Sequence, residues 1–97
     1  WEKDNGLTCS TANVFVSGWV KGQFQKPSRR LLIIVVNFGD KTDADVRIDR
    51  SKTGFSMAGD LRATDAESLQ PVEVDSRGGM SLAVDRHDFR QIMLEVK

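Results

Sequence analysis

Ninety-seven residues are the size of one ordinary domain, long enough to bury a core without staples and too short for a second. Fourteen Lys and Arg balance fourteen Asp and Glu, so the chain lacks the basic excess that draws in nucleic acid or an anionic membrane, and neither is an expected partner. Cys9 is the single cysteine, which excludes an internal disulfide and a thiolate metal cage and leaves the redox compartment open.

Read in chain order, the sequence opens Trp1-Glu2-Lys3-Asp4, with neither an initiator methionine nor a signal peptide, and this start reads as a cut within a longer protein. The first strand is expected over 13–20. There Val14, Val16 and Val20 share one parity and Phe15 and Trp19 the other. Lys26, Arg29 and Arg30 around Pro27 form the only local basic cluster and read as a solvated loop. The run "LLIIVVN" is apolar on both parities up to Asn37, so the spacing predicts a central strand over 31–38, covered by an opposing sheet on one face and by something else on the other. After a turn through Gly39-Asp40-Lys41, a strand over 44–50 sets Asp45, Arg47 and Asp49 against Val46 and Ile48 and reads as its half-exposed hairpin partner.

Further strands are expected over 60–65, 70–75, 80–84 and 89–96, where Val72/Val74, Met80/Leu82/Val84 and Ile92/Leu94/Val96 keep the period of two. Gly, Pro, Asn, Asp and Ser clusters separate them at short intervals. No stretch has a sustained helical period, and none approaches the roughly 18–20 apolar residues needed to span a bilayer. The expected architecture is a single all-β domain over 1–97, an antiparallel β-sandwich of about seven to eight strands with a Greek-key-like crossing and no helix longer than about two turns.

Few residues invite a chemical role. His87, in the turn "DRHD", is the only candidate base for a nucleophilic triad, and a lone His in such a turn more often bonds local backbone. Asp40, Asp43 and Asp45 within "DKTDAD" are a weak candidate for calcium. They lack the EF-hand order, and turn chemistry explains acids at a hairpin equally well. Gly78-Gly79 reads as a turn rather than a phosphate cradle. No cofactor is expected. Phe15 and Trp19 are the candidate binding residues, as a sugar platform, a docking patch for a neighbouring domain, or part of a core of misread parity.

The segments "LLIIVVNFGDKTDADVRID", "ATDAES", "LQPVEV" and "GGMSLAVDRHDFRQIMLE" together resemble the C-terminal β-sandwich that follows the (β/α)8 barrel in α-amylase-like and related glycoside hydrolases. Leu31 to Val36 ending in Asn37-Phe38 is similar to the family's core strand. Thr64 to Glu67 resembles its aspartate turn, and Gly79 to Val84 with His87 to Glu95 its closing hairpin. The likeness spans roughly residues 14 to 96. Ser68 departs from it where glycine is usual, and Arg86 where proline is common. The resemblance implies a non-catalytic accessory domain, the C-terminal fragment of a longer enzyme, whose partner is the catalytic domain of the same chain. It implies no catalytic residues here, and a secreted or periplasmic parent enzyme is favoured. The alternatives are a carbohydrate-binding module, a cell-surface sandwich acting by protein contact and, last, a small enzyme.

Overall fold

The computed structural model describes residues 2–21, 30–49, 51–53, 61–75 and 77–96; Lys26, Pro27 and Arg29 of the basic cluster lie outside them. Nine strands and no helix are found among the described residues: β1 Glu2–Asp4, β2 Leu7–Cys9, β3 Val14–Lys21, β4 Arg30–Asn37, β5 Thr42–Ile48, β6 Leu61–Asp65, β7 Pro71–Val72, β8 Gly79–Val84 and β9 Phe89–Val96. They form a β-sandwich of two antiparallel sheets. The larger has the order β1-β3-β4-β9-β6-β7 and the smaller β2-β5-β8. The closing strand β9 inserts between β4 and β6, a crossing of the Greek-key kind.

Alternation decides which side chains meet between the sheets. In β4, Leu31, Ile33, Val35 and Asn37 are buried while Leu32, Ile34 and Val36 are half-buried. Pairing sets Ile33 of β4 beside Gly18 of β3 and Ile92 of β9. From the smaller sheet, Ala44, Val46 and Ile48 of β5 and Met80, Leu82 and Val84 of β8 complete one continuous core. Branched aliphatics suit a pleated surface covered on one face, and the transfer of each from water contributes about 1.5–3 kcal/mol. Gly18 is required by a close approach: a Cβ there would lie 2.1 Å from Leu7 Cδ1, which packs onto β3 from the smaller sheet.

Three expectations change. The hairpin expected across 31–49 does not form, because β4 pairs with β3 and β9 while β5 pairs with β2 and β8 in the other sheet. Asn37 explains the switch. Its buried Nδ2 donates to the carbonyls of Asp40 at 2.8 Å, Asp85 at 3.1 Å and Val84 at 3.3 Å, and its Oδ1 accepts from the Gly39 N–H at 2.9 Å. An amide that holds both its own turn and the end of β8 steers the chain out of one sheet and into the other.

The strand expected over 70–75 is only Pro71–Val72, since the chain then leaves the larger sheet for the turn that starts β8. There the Asp75 Oδ1 accepts the N–H groups of Arg77 at 2.8 Å and Gly79 at 2.9 Å.

Two strands before residue 10 were not expected, because three residues are too few for a period to register. They belong to one segment that adds an edge to each sheet, and buried Asp4 fixes the switch between them. Its carboxylate accepts the Gly6 N–H at 2.7 Å and the Thr53 hydroxyl at 2.5 Å.

Candidate functional site: the outer face of the six-stranded sheet

The two outer faces of the sandwich differ in kind. On the smaller sheet the residues opposite in parity to the core are Thr8, Asp43, Asp45, Arg47, Ser81 and Ala83, a polar surface suited to water. On the larger sheet that parity carries an apolar field. Register aligns Phe15 of β3 with Val36 of β4 and Phe89 of β9, and, four residues along β3, Trp19 with Leu32 and Met93. Between these two rows runs Ser17–Ile34–Gln91.

The most exposed part is one end of this field. Phe15 is 63% exposed, Phe38 64% and Phe89 49%. The rings of Phe15 and Phe38 meet edge to face, with centroids 5.5 Å apart and planes at 71°, a favoured geometry for an aromatic pair. Trp19 is half-buried, flanked in register by Lys3 of β1 and Leu32 of β4. The structure therefore sets the two aromatics chosen from sequence, Phe15 and Trp19, on one face but in different rows. Phe38 and Phe89 were missed. The signal for Phe89 was present in the alternation Phe89/Gln91/Met93 against Arg90/Ile92/Leu94. Phe38 follows the strand and had no parity to betray it.

Charged groups elsewhere are engaged in structure. Asp65 is 7% exposed; its Oδ1 accepts the N–H groups of Glu67 at 2.9 Å and Ser68 at 3.0 Å, and its Oδ2 accepts Arg90 Nε at 3.0 Å and Nη2 at 2.8 Å. The Ser68 N–H, followed by Arg90 and the Glu67 N–H, holds the Asp65 carboxyl below the usual carboxylate range against the opposing effect of burial. Arg90 Nη1 also donates to the Ala83 carbonyl of β8 at 3.2 Å and so ties the sheets together. The N–H groups of Gly79 and Arg77 likewise lower the Asp75 carboxyl.

The three weak calcium candidates are dispersed in role. Asp40 sits on an exposed turn 3.7 Å from Arg86, Asp43 is exposed, and Asp45 lies 3.9 Å from Arg47 on the outer face of β5. Among the described residues no group of three His, Cys, Asp or Glu side chains is placed to hold a metal ion. His87 lies exposed on the 85–88 turn, its backbone N–H donating to the Gly39 carbonyl. Cys9 is half-buried on β2 against the core.

A shallow cleft opens between β6–β7 and the edge of β8, lined in part by Leu61, Val72, Val74 and Ser81. Pairing of Ile48 N–H with the Gly78 carbonyl makes the even residues of β8 face β5 and the odd ones face this edge. Asp75 occupies both backbone groups of Gly79, and Arg90 takes the Ala83 carbonyl. Little of the edge is left to pair with an added strand.

The glycine-like position expected at Ser68 falls one residue later. Leu69 has φ 63°, and it closes the β6–β7 turn. Comparison of the chain with protein-family profiles, with curated proteins and with solved structures found no match.

Proposed function

We propose that this chain is a non-catalytic accessory β-sandwich that packs through the outer face of its six-stranded sheet onto a catalytic domain of the same polypeptide, in a glycoside hydrolase. The observation that carries the docking half is the contrast between the two outer faces, polar on one sheet and apolar with three exposed phenylalanines on the other. The glycoside hydrolase half is supported by the resemblance of residues 14 to 96 and by nothing else.

Size favours a tethered partner over a second copy. Four strands at about 4.8 Å spacing and seven residues at about 3.3 Å span a plane of roughly 450 Å². Stable association of separate chains buries about 800 Å² on each partner, whereas domains of one polypeptide meet over about 600–1,500 Å² in total. A tether supplies millimolar effective concentration, so a small face suffices. Chemistry favours docking over sugar binding. A sugar platform needs polar groups around its ring to meet hydroxyls, and Phe15 is instead aligned with Val36 and Phe89 and stacked on Phe38.

The test compares the product of the complete reading frame with the 97-residue chain. The frame is expected to encode a barrel upstream, and Phe15→Ser with Phe38→Ser is expected to cost about 2 kcal/mol per ring in the complete protein and under about 0.5 kcal/mol in the short chain. Equal effects in the two proteins would refute docking. Loss of soluble-glycan binding without loss of stability would transfer the face to carbohydrate.

A further inference from the structure

Three non-glycine residues have a left-handed backbone, Asn13 at φ 63°, His87 at φ 54° and Leu69 at φ 63°. Asn and His are among the residues that tolerate this region, and leucine is not. Leu69 is the last residue of the four-residue loop 66–69 that joins β6 to β7, closed by the Asp65 N–H to Gln70 carbonyl bond at 2.9 Å and the Leu69 N–H to Asp65 carbonyl bond at 2.8 Å. A glycine would relieve the conformation without disturbing either bond.

Packing does not explain the leucine. It is 74% exposed, more than any other exposed large apolar residue among those described. Its place in the fold suggests what does. The loop continues β6 past the pairing of Asp65 with Ile92, and the Ala66 N–H bonds to the Gln91 carbonyl, so the loop lies beside β9 toward its Phe89 end. An unfavourable backbone kept under an exposed apolar side chain is an outlier that calls for a functional cause.

We infer that Leu69 is an anchor for the neighbouring domain, extending the row Phe15–Val36–Phe89 by one position onto the β6–β7 loop. This rests on the docking reading. The partner is the tethered domain for the reason of area given above, and it presents an apolar recess to a side chain standing at the rim of the sheet.

The experiment uses two substitutions in two proteins. Leu69→Gly removes the side chain and the strain, and Leu69→Ala removes the side chain alone. In the 97-residue chain, Leu69→Gly is expected to raise Tm by about 2–6 °C and Leu69→Ala to leave it within about 1 °C. In the product of the complete reading frame, Leu69→Ala is expected to lower the Tm of the sandwich and to raise hydrogen exchange in β3, β4 and β9, and Leu69→Gly to gain less than it does alone. If both substitutions act identically in the two proteins while Phe38→Ser lowers only the complete one, the anchor is refuted and docking stands. If Phe38→Ser also acts identically in both, or the frame encodes no further domain, docking fails and the anchor with it.

Discussion

Replacing Arg90 with Met tests how the end of the sandwich is held. Methionine keeps the length of the aliphatic stem, so the loss is confined to three hydrogen bonds: Nε and Nη2 to Asp65 Oδ2, and Nη1 to the Ala83 carbonyl. An exposed ion pair contributes about 0–1 kcal/mol, and breaking a fully buried one costs about 3–5 kcal/mol. Here the Asp65 side chain is 9% exposed and that of Arg90 27%, which puts the pair toward the buried limit. The N–H groups of Glu67 and Ser68 still satisfy Oδ1, which lowers the penalty. The expected loss is about 2 kcal/mol at pH 7, or roughly 10 °C in Tm for a domain of this size.

Acid gives the second arm of the assay. The Asp65 carboxyl has a lowered pKa in the folded chain, so its contribution is complete above its unfolded value near pH 4 and is lost as pH falls through the folded value below it. Urea unfolding of wild type and Arg90→Met should therefore show the full gap at pH 7 and a shrinking gap below about pH 4. A gap under about 0.5 kcal/mol at pH 7, or one unchanged at about pH 2, would refute this account.

Two further substitutions test the interior. Asn37→Asp is nearly isosteric but replaces a donor to three carbonyls with an acceptor; it is expected to cost about 3 kcal/mol at pH 7, and a urea midpoint equal to that of wild type would sink the role given to Asn37. Gly18→Val is expected to cost about 2 kcal/mol and to be partly offset by Leu7→Ala, because the new side chain meets the flexible end of Leu7; additive losses in the double-mutant cycle would show that the two do not meet.

Sequence alone determined the fold class and nearly all the long strands. The period of two is imposed by the pleat and survives any arrangement of sheets, so 89–96 and 13–20 were legible within one residue. The wet face of β5 was legible for the same reason. Parity also separated Phe15 and Trp19 from the valines of β3. It could not say that Phe89, more than seventy residues away, shares a row with Phe15, because that depends on which strands are neighbours. Only the tertiary structure decided that β4 and β5 part into different sheets, a choice made by one amide whose partners lie 47 and 48 residues away. It likewise decided that the glycine-like backbone falls on Leu69 rather than Ser68, since the loop is set by where Asp65 pairs with Gln70. Local pattern reports which face a side chain takes; long-range hydrogen bonds decide what that face meets.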